Sequence, residues 1–180
     1  MYGMVNRAIE DMVVSGYGQE TWERVKEKAG FEDEVFVSTE AYPDELTYAL
    51  VGAASSILKT PPADVLEAFG VYWVVKTAQE GYGDMMAAGG KTLGEFLENL
   101  PNFHSRVSMI FPHLSPPRFY CSDIKPNSIH MHYQSHRDGL APFVVGLLKG
   151  LGQRFSTPMT VEQIASKSAG ADHDEFIVRW

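Results

Sequence analysis

Apolar residues recur three to four positions apart through the first two thirds of the chain, the spacing of one buried helix face. Val5, Ala8, Ile9, Met12 and Val13 predict a first helix, with Gly16 as its stop. Trp22, Val25 and Ala29 mark a short second helix ended by Gly30. A longer one runs from Asp44 through Leu50, Val51, Ala54, Ile57 and Leu58. Thr60 then reads as an N-cap with Pro61 at the first helical position, opening a helix that turns Val65, Leu66, Phe69 and Trp73 inward. Gly81, Gly83, Gly89 and Gly90 punctuate the next stretch. Thr92 and Glu95 form a capping box before Leu93, Phe96, Leu97 and Leu100. Pro101 lacks an N–H and crowds the preceding turn, which predicts a break near Asn99–Leu100 and a new helix from Pro101. His104 falls in its first turns among Phe103, Val107, Ile110 and Phe111, and Pro112, Pro116 and Pro117 close the helical portion.

The period changes from Arg118 onward. Residues 118–124 and 128–137 read as strands joined by the turn Lys125-Pro126-Asn127. A helix is predicted over 141–155, then strands over 159–166 and 175–180 around the turn Ala169-Gly170-Ala171-Asp172. The expected fold is α+β: a helical N-terminal lobe packed against a four-stranded antiparallel sheet that carries one long helix. There is no internal repeat. The 180 residues suit one domain, 1–180, with subregions 1–60 and 61–180.

Composition narrows the function. A net charge of −8 and the lack of a Lys/Arg run argue against nucleic acid as a partner. The single cysteine, Cys121, rules out an internal disulfide framework or a Cys-rich zinc site. The N-terminus has acids at Glu10 and Asp11 and no signal-peptide pattern. The longest apolar run, 140–148, is cut by Gly146 and stopped by Lys149, too short for a membrane span. A soluble, cytoplasmic protein is expected.

Alternation along 128–137 puts Ile129, Met131, Tyr133, Ser135 and Arg137 on one strand face. The last three form a row spaced about 7 Å apart. A phenol, a hydroxyl and a guanidinium in line can all donate to oxyanions, which suits a ligand with two carboxylates. A solvated face is the plain alternative, since mixed polar faces are common on antiparallel sheets. His104 is equally open on its own: a histidine on an apolar helix face is either packed in the core or an iron ligand.

Leu100-Pro101-Asn102-Phe103-His104-Ser105-Arg106-Val107, then Pro116-Pro117-Arg118, then Tyr133-x-Ser135-x-Arg137 resemble the haem nitric oxide/oxygen binding (H-NOX) family, which includes the haem domain of soluble guanylate cyclase. The likeness extends over essentially the whole chain, from Met1-Tyr2-Gly3 to the helix with Gly146-Leu147-Leu148-Lys149-Gly150. It implies haem b (iron protoporphyrin IX) between the lobes, with residues 1–60 distal and 61–180 proximal. It implies His104 as the proximal iron ligand, Tyr133, Ser135 and Arg137 as the propionate clamp, and Pro117 as the proline that presses on the porphyrin.

Oxygen-binding relatives carry a distal tyrosine on the helix after the motif. Here that stretch is Leu140-Ala141-Pro142-Phe143-Val144, with Phe143 the nearest match and no phenol. Trp73, Met1, Met4 and Val5 are further distal candidates, Trp73 having core packing as its alternative. The resemblance therefore implies a sensor for nitric oxide that also binds carbon monoxide, discriminates against dioxygen and signals by release of the proximal histidine. Its partner would be a histidine kinase or a cyclic-nucleotide signalling enzyme. No enzyme activity of its own is expected.

Two competing readings stand beside this one. A haem peroxidase would need a distal acid–base pair, and the distal candidates are apolar. A metal site on the strand could use His130 and His132, on the face opposite Tyr133 with His136, but no acidic ligand is near in sequence. His113 and His173 fall in loops. Asp172-x-Asp174-Glu175 lacks the glycine and terminal glutamate of a calcium loop, and Gly146, Gly150 and Gly152 permit close helix packing rather than phosphate binding.

Overall fold

The computed structural model describes residues 1–31, 35–111 and 116–180. The chain forms two compact units, Met1–Phe69 and Gly70–Trp180.

The first unit contains α1 (Gly3–Tyr17), α2 (Gln19–Ala29), α3 (Asp44–Leu58) and the start of α4 (Pro62–Tyr72). Ile9 and Val13 of α1, Trp22 and Val25 of α2 and Leu50 of α3 are its fully buried centre. α1 runs through the exposed Gly16 and stops at Gly18, whose φ of +86° takes the chain out of the helix. Gly30 (φ +72°) ends α2 as the sequence predicts. The helix that follows α3 starts one residue later than expected. Lys59 (φ +54°) and Thr60 finish α3, with the Thr60 N–H donating to the Ser55 carbonyl, and Pro61 becomes the capping residue whose carbonyl accepts from Val65.

In the second unit α4 continues into a π-helical segment, Trp73–Ala78, and then α5 (Gln79–Ala87), which kinks at Tyr82 without breaking at Gly81. α6 spans Leu93–Ile110. Its cap is the expected Thr92, whose hydroxyl accepts from Glu95 N at 3.3 Å. The Glu95 carboxylate in turn accepts from Lys91 N rather than from the N–H of the cap residue. The expected break before Pro101 does not occur. A proline inside a helix removes the donor to the carbonyl four residues earlier, here Leu97, and the Cys121 thiol takes that carbonyl from the side at 3.4 Å. Pro112 and His113 lie outside the described residues.

The sheet has four antiparallel strands in the order β1–β2–β4–β3: β1 (Arg118–Lys125), β2 (Ser128–Gln134), β3 (Thr160–Ala165) and β4 (Asp174–Arg179). α7 (Ala141–Arg154) is its long helix. The α+β class is as expected. Phe119 pairs with Tyr133, Cys121 with Met131, and Met131 with Phe176, so one sheet face is apolar. It shares a core with Phe96, Leu97 and Leu100 of α6 and Val144 and Leu148 of α7. Gly150 lets α7 lie directly on the segment that opens the π-helix: a Cβ there would stand 2.9 Å from Val74 Cβ and 3.2 Å from Val71 Cα.

β2 is shorter than the sequence suggests, ending at Gln134 instead of Arg137. β1 begins opposite Gln134 and β4 opposite Tyr133, so neither neighbour reaches further to hold Ser135–Arg137 extended. The chain bends there instead.

Candidate functional site

α6 brings His104 to the edge of the second unit's core. Its ring stacks on Phe119 of β1, with centroids 5.3 Å apart and planes 11° from parallel, and Phe103 meets it edge-on. Nδ1 is buried and has no hydrogen-bond partner among the described residues. Burial pushes the imidazole down to about pKa 4, so at neutral pH the ring is uncharged and its lone pair is available. A cavity of about 380 Å³ opens beside it, lined by Pro101, His104, Ser108, Pro117, Phe119 and Tyr120 among others. The structure thus brings His104 and Pro117 to one hollow.

Phe119 also reaches Tyr133, ring centroids 5.1 Å apart, so an aromatic path runs from His104 across β1 to β2. Tyr133 is 5% exposed. Burial pushes its phenol above the ordinary range, while a hydrogen bond with Ser135 and the charge of Arg137 pull the other way. It stays a donor at neutral pH. The bend after β2 replaces the straight row with a cluster, in which the Ser135 hydroxyl accepts from Arg137 N at 3.1 Å. Ser135 meets both Tyr133 and Arg137, by a turn instead of by strand alternation.

Lys167 is not legible in the sequence as part of this cluster. Its ammonium donates to the Ser135 carbonyl at 3.0 Å and pairs with Asp138 at 2.6 Å. Its own N–H, like the Gln163 amide, bonds to the buried Asp174 carboxylate. Thirty-two residues separate Lys167 from Ser135, and only the β3–β4 connection brings them together. Phe119 could have been found from the alternation of β1, which places it across from Tyr133.

Trp73 opens the π-helix and packs, partly buried, against the second unit's core. Phe143 is half-buried in the first turn of α7. Met1, Met4 and Val5 belong to the first unit, where the Met1 ammonium pairs with Asp44 at 2.6 Å and Met4 N donates to Ser38 O.

The histidines on the far sheet face sit in a hydrogen-bonded network. His130 Nδ1 lies 2.7 Å from Glu175 Oε1, His132 Nδ1 2.8 Å from His173 Nε2, and His132 Nε2 2.7 Å from Ser122 Oγ. The acidic partner missing from the local sequence comes from β4, where Glu175 pairs with His132. His136 lies past the strand end and is exposed. Among the described residues no group of three or more metal-ligating side chains converges, so the strand-metal reading gains no support.

This α+β unit, with an unpartnered neutral imidazole over a cavity and a cluster of anion donors two strands away, is the class of fold in which a planar metal cofactor with acidic side chains can be held. The haem-NO-binding family model matches residues 2–163, and the chain belongs to that family. Two soluble guanylate cyclases of Caenorhabditis elegans, gcy-31 and gcy-32, are 27% identical over 163 residues and 29% identical over 157. These matches take in 90% and 86% of this chain but 23% of each relative, so the chain spans less than a quarter of the curated relatives it matches. A crystal structure of an H-NOX protein from S. oneidensis in the Fe(II)NO ligation state superposes with a TM-score of 0.90 at 26% identity, covering 99% of this chain and 98% of that one. The H-NOX domain of Shewanella oneidensis in the Fe(II)CO state gives 0.88 at 26% identity, with the same coverage. This chain is an H-NOX haem-binding gas-sensor domain related to the soluble guanylate cyclases. Among the described residues no helix is long and apolar enough to cross a membrane.

The residues present suit haem. The orphaned imidazole is chemically an iron ligand in waiting, and the Tyr133–Ser135–Arg137 cluster matches carboxylate groups.

The buried imidazole makes haem-free stability depend on pH. Its folded pKa of about 4 lies below the ordinary 6.5, so between these values the unfolded chain binds more protons. The favourable contribution is complete above pH 6.5 and is lost as pH falls toward 4, by at most about 3 kcal/mol. Urea unfolding of the haem-free chain and its His104→Leu variant should show the parent losing this extra stability between pH 6.5 and 4. Parallel profiles for the two chains across that window would contradict the buried, neutral state.

Proposed function

We propose that the chain is a nitric oxide sensor that holds haem b through His104, Tyr133, Ser135 and Arg137. The observation that carries this reading is the neutral His104 imidazole with its unpartnered Nδ1, on a helix packed against the sheet that presents the three donors. The ferrous iron of a bound haem supplies the gas-binding centre. His104 would be its protein ligand. Tyr133, Ser135 and Arg137 donate to the propionates, with Arg137 giving the charged contact. Lys167 fixes the backbone from which Ser135 and Arg137 project. Pro117 bears on the porphyrin.

Phe143 and Trp73 are the distal candidates of the second unit and would present mainly apolar surface to the gas, a role the family resemblance also implies for Met1, Met4 and Val5. Nitric oxide and carbon monoxide are bound, and dioxygen is discriminated against. With haem bound, His104 would hold the iron and α6 would carry any loss of that bond into the rest of the domain, biasing it toward a second state. That state is read by a cytoplasmic histidine kinase or cyclic-nucleotide signalling enzyme, and the chain is not itself an enzyme.

Replacing His104 with Gly should abolish haem retention, or leave it dependent on added imidazole, in purified protein followed by its absorption spectrum. An unchanged ferrous spectrum without imidazole would overturn the ligand assignment. The gas preference is checked separately. The first turn of α7 carries Phe143 and Pro142 and offers no phenol, so a bound dioxygen would lack a donor, a loss of about 1–3 kcal/mol or roughly ten- to a hundredfold in affinity. Reduced protein exposed to air should oxidise or stay ferrous without a lasting oxygenated spectrum, while binding carbon monoxide readily. A stable oxygenated spectrum would contradict the distal reading and point to the Trp73 N–H.

A further inference from the structure

Pro101 leaves the Leu97 carbonyl without its helical donor, and the chain's single cysteine fills that position from β1, Sγ lying 3.4 Å from the oxygen. Leu97, Pro101 and His104 are spaced four and three apart, so all three share the face of α6 that looks onto β1. Phe119 and Cys121, two apart on β1, share the strand face that looks back. The strand therefore touches the helix at two points, an aromatic ring under His104 and a thiol two turns earlier. From this we infer that Cys121 is a positioning residue for His104: its thiol closes the gap made by Pro101 and sets the direction in which α6 delivers the imidazole.

The surroundings favour a lasting donor. Burial, with Glu98 adding to it, pushes the thiol up to about pKa 11, so it keeps its proton at neutral pH. Beyond the proline α6 is bent toward side-chain bonding, with Ser105 Oγ donating to the Pro101 carbonyl at 3.0 Å and Ser108 Oγ to the His104 carbonyl at 2.9 Å. A helix whose ladder is interrupted just ahead of its functional residue depends more than most on a lateral anchor. Removing the thiol leaves the Leu97 carbonyl unpaired in the core, and the turn holding His104 can swing or fray.

The effect on His104 as a ligand rests on the haem reading above; the anchor itself does not. Because Cys121 is the one thiol in the chain, its S–H stretching band in the infrared is unambiguous and needs neither haem nor a variant. It should fall at the low frequency of a hydrogen-bonded donor, and it should shift in Pro101→Ala, where a restored backbone N–H competes for the carbonyl. In haem-free protein, Cys121→Ala should speed amide exchange across residues 102–105 by about two- to tenfold, the range set by one hydrogen bond. Cys121→Ser should restore most of the protection. In the Pro101→Ala background, Cys121→Ala should change little. In ferrous haem-loaded protein the iron–histidine stretch should move in Cys121→Ala and return in Cys121→Ser. A free-thiol S–H frequency, or equal effects of Cys121→Ala with and without Pro101, would overturn the anchor. A normal anchor with no iron–histidine band at all would overturn the haem reading instead.

Discussion

An imidazole can ligate iron only if its lone pair is free, and in this chain burial of His104 provides that condition. Desolvation disfavours the charged ring, pushing it to about pKa 4, and Nδ1 has no protein partner to satisfy it. A buried polar atom left in this way costs free energy unless something binds there or water reaches it. The stack on Phe119 fixes the ring plane, and α6 fixes the depth to which it is inserted. The cavity beside His104, the position of Pro117 on its wall and the interruption at Pro101 all derive their meaning from that one neutral ring.

The sheet links this ring to the cluster of Tyr133, Ser135 and Arg137. Phe119 lies between His104 and Tyr133, so any movement of α6 on β1 is felt across the register that sets Tyr133. The cluster is stiffened from the other side: Lys167 ties the Ser135 carbonyl to Asp138, and Asp174 holds the Lys167 backbone. α6 and Tyr133 are thus parts of one packed core, joined by contact.

Periodicity makes most of the helices readable, and α3 and α7 start at Asp44 and Ala141, where the sequence puts them. The misreadings have particular causes. Thr60 reads as a cap for the next helix because capping residues and helix-terminating ones share the same polar chemistry. Pro101 reads as a break because the sequence cannot display a thiol arriving from a strand twenty residues later. β2 reads as longer because alternation continues through Arg137, while strand length is decided by neighbours that begin only opposite Tyr133 and Gln134. At the site, His104, Tyr133, Ser135 and Arg137 are visible through their motif spacing. Phe119 is reachable through the alternation of β1, but Lys167 and the Glu175 partner of the outer histidines are not legible, since each depends on strand pairing rather than on local pattern.

In the function proposed above, the His104 nitrogen would hold ferrous iron and release it when nitric oxide arrives. Resonance Raman of ferrous haem-loaded protein, with histidine nitrogen labelled as ¹⁵N, tests it directly. A low-frequency iron–histidine band should shift on labelling and disappear in the nitric oxide complex. A band that ignores the label, or one that persists unchanged with nitric oxide bound, would contradict the claim.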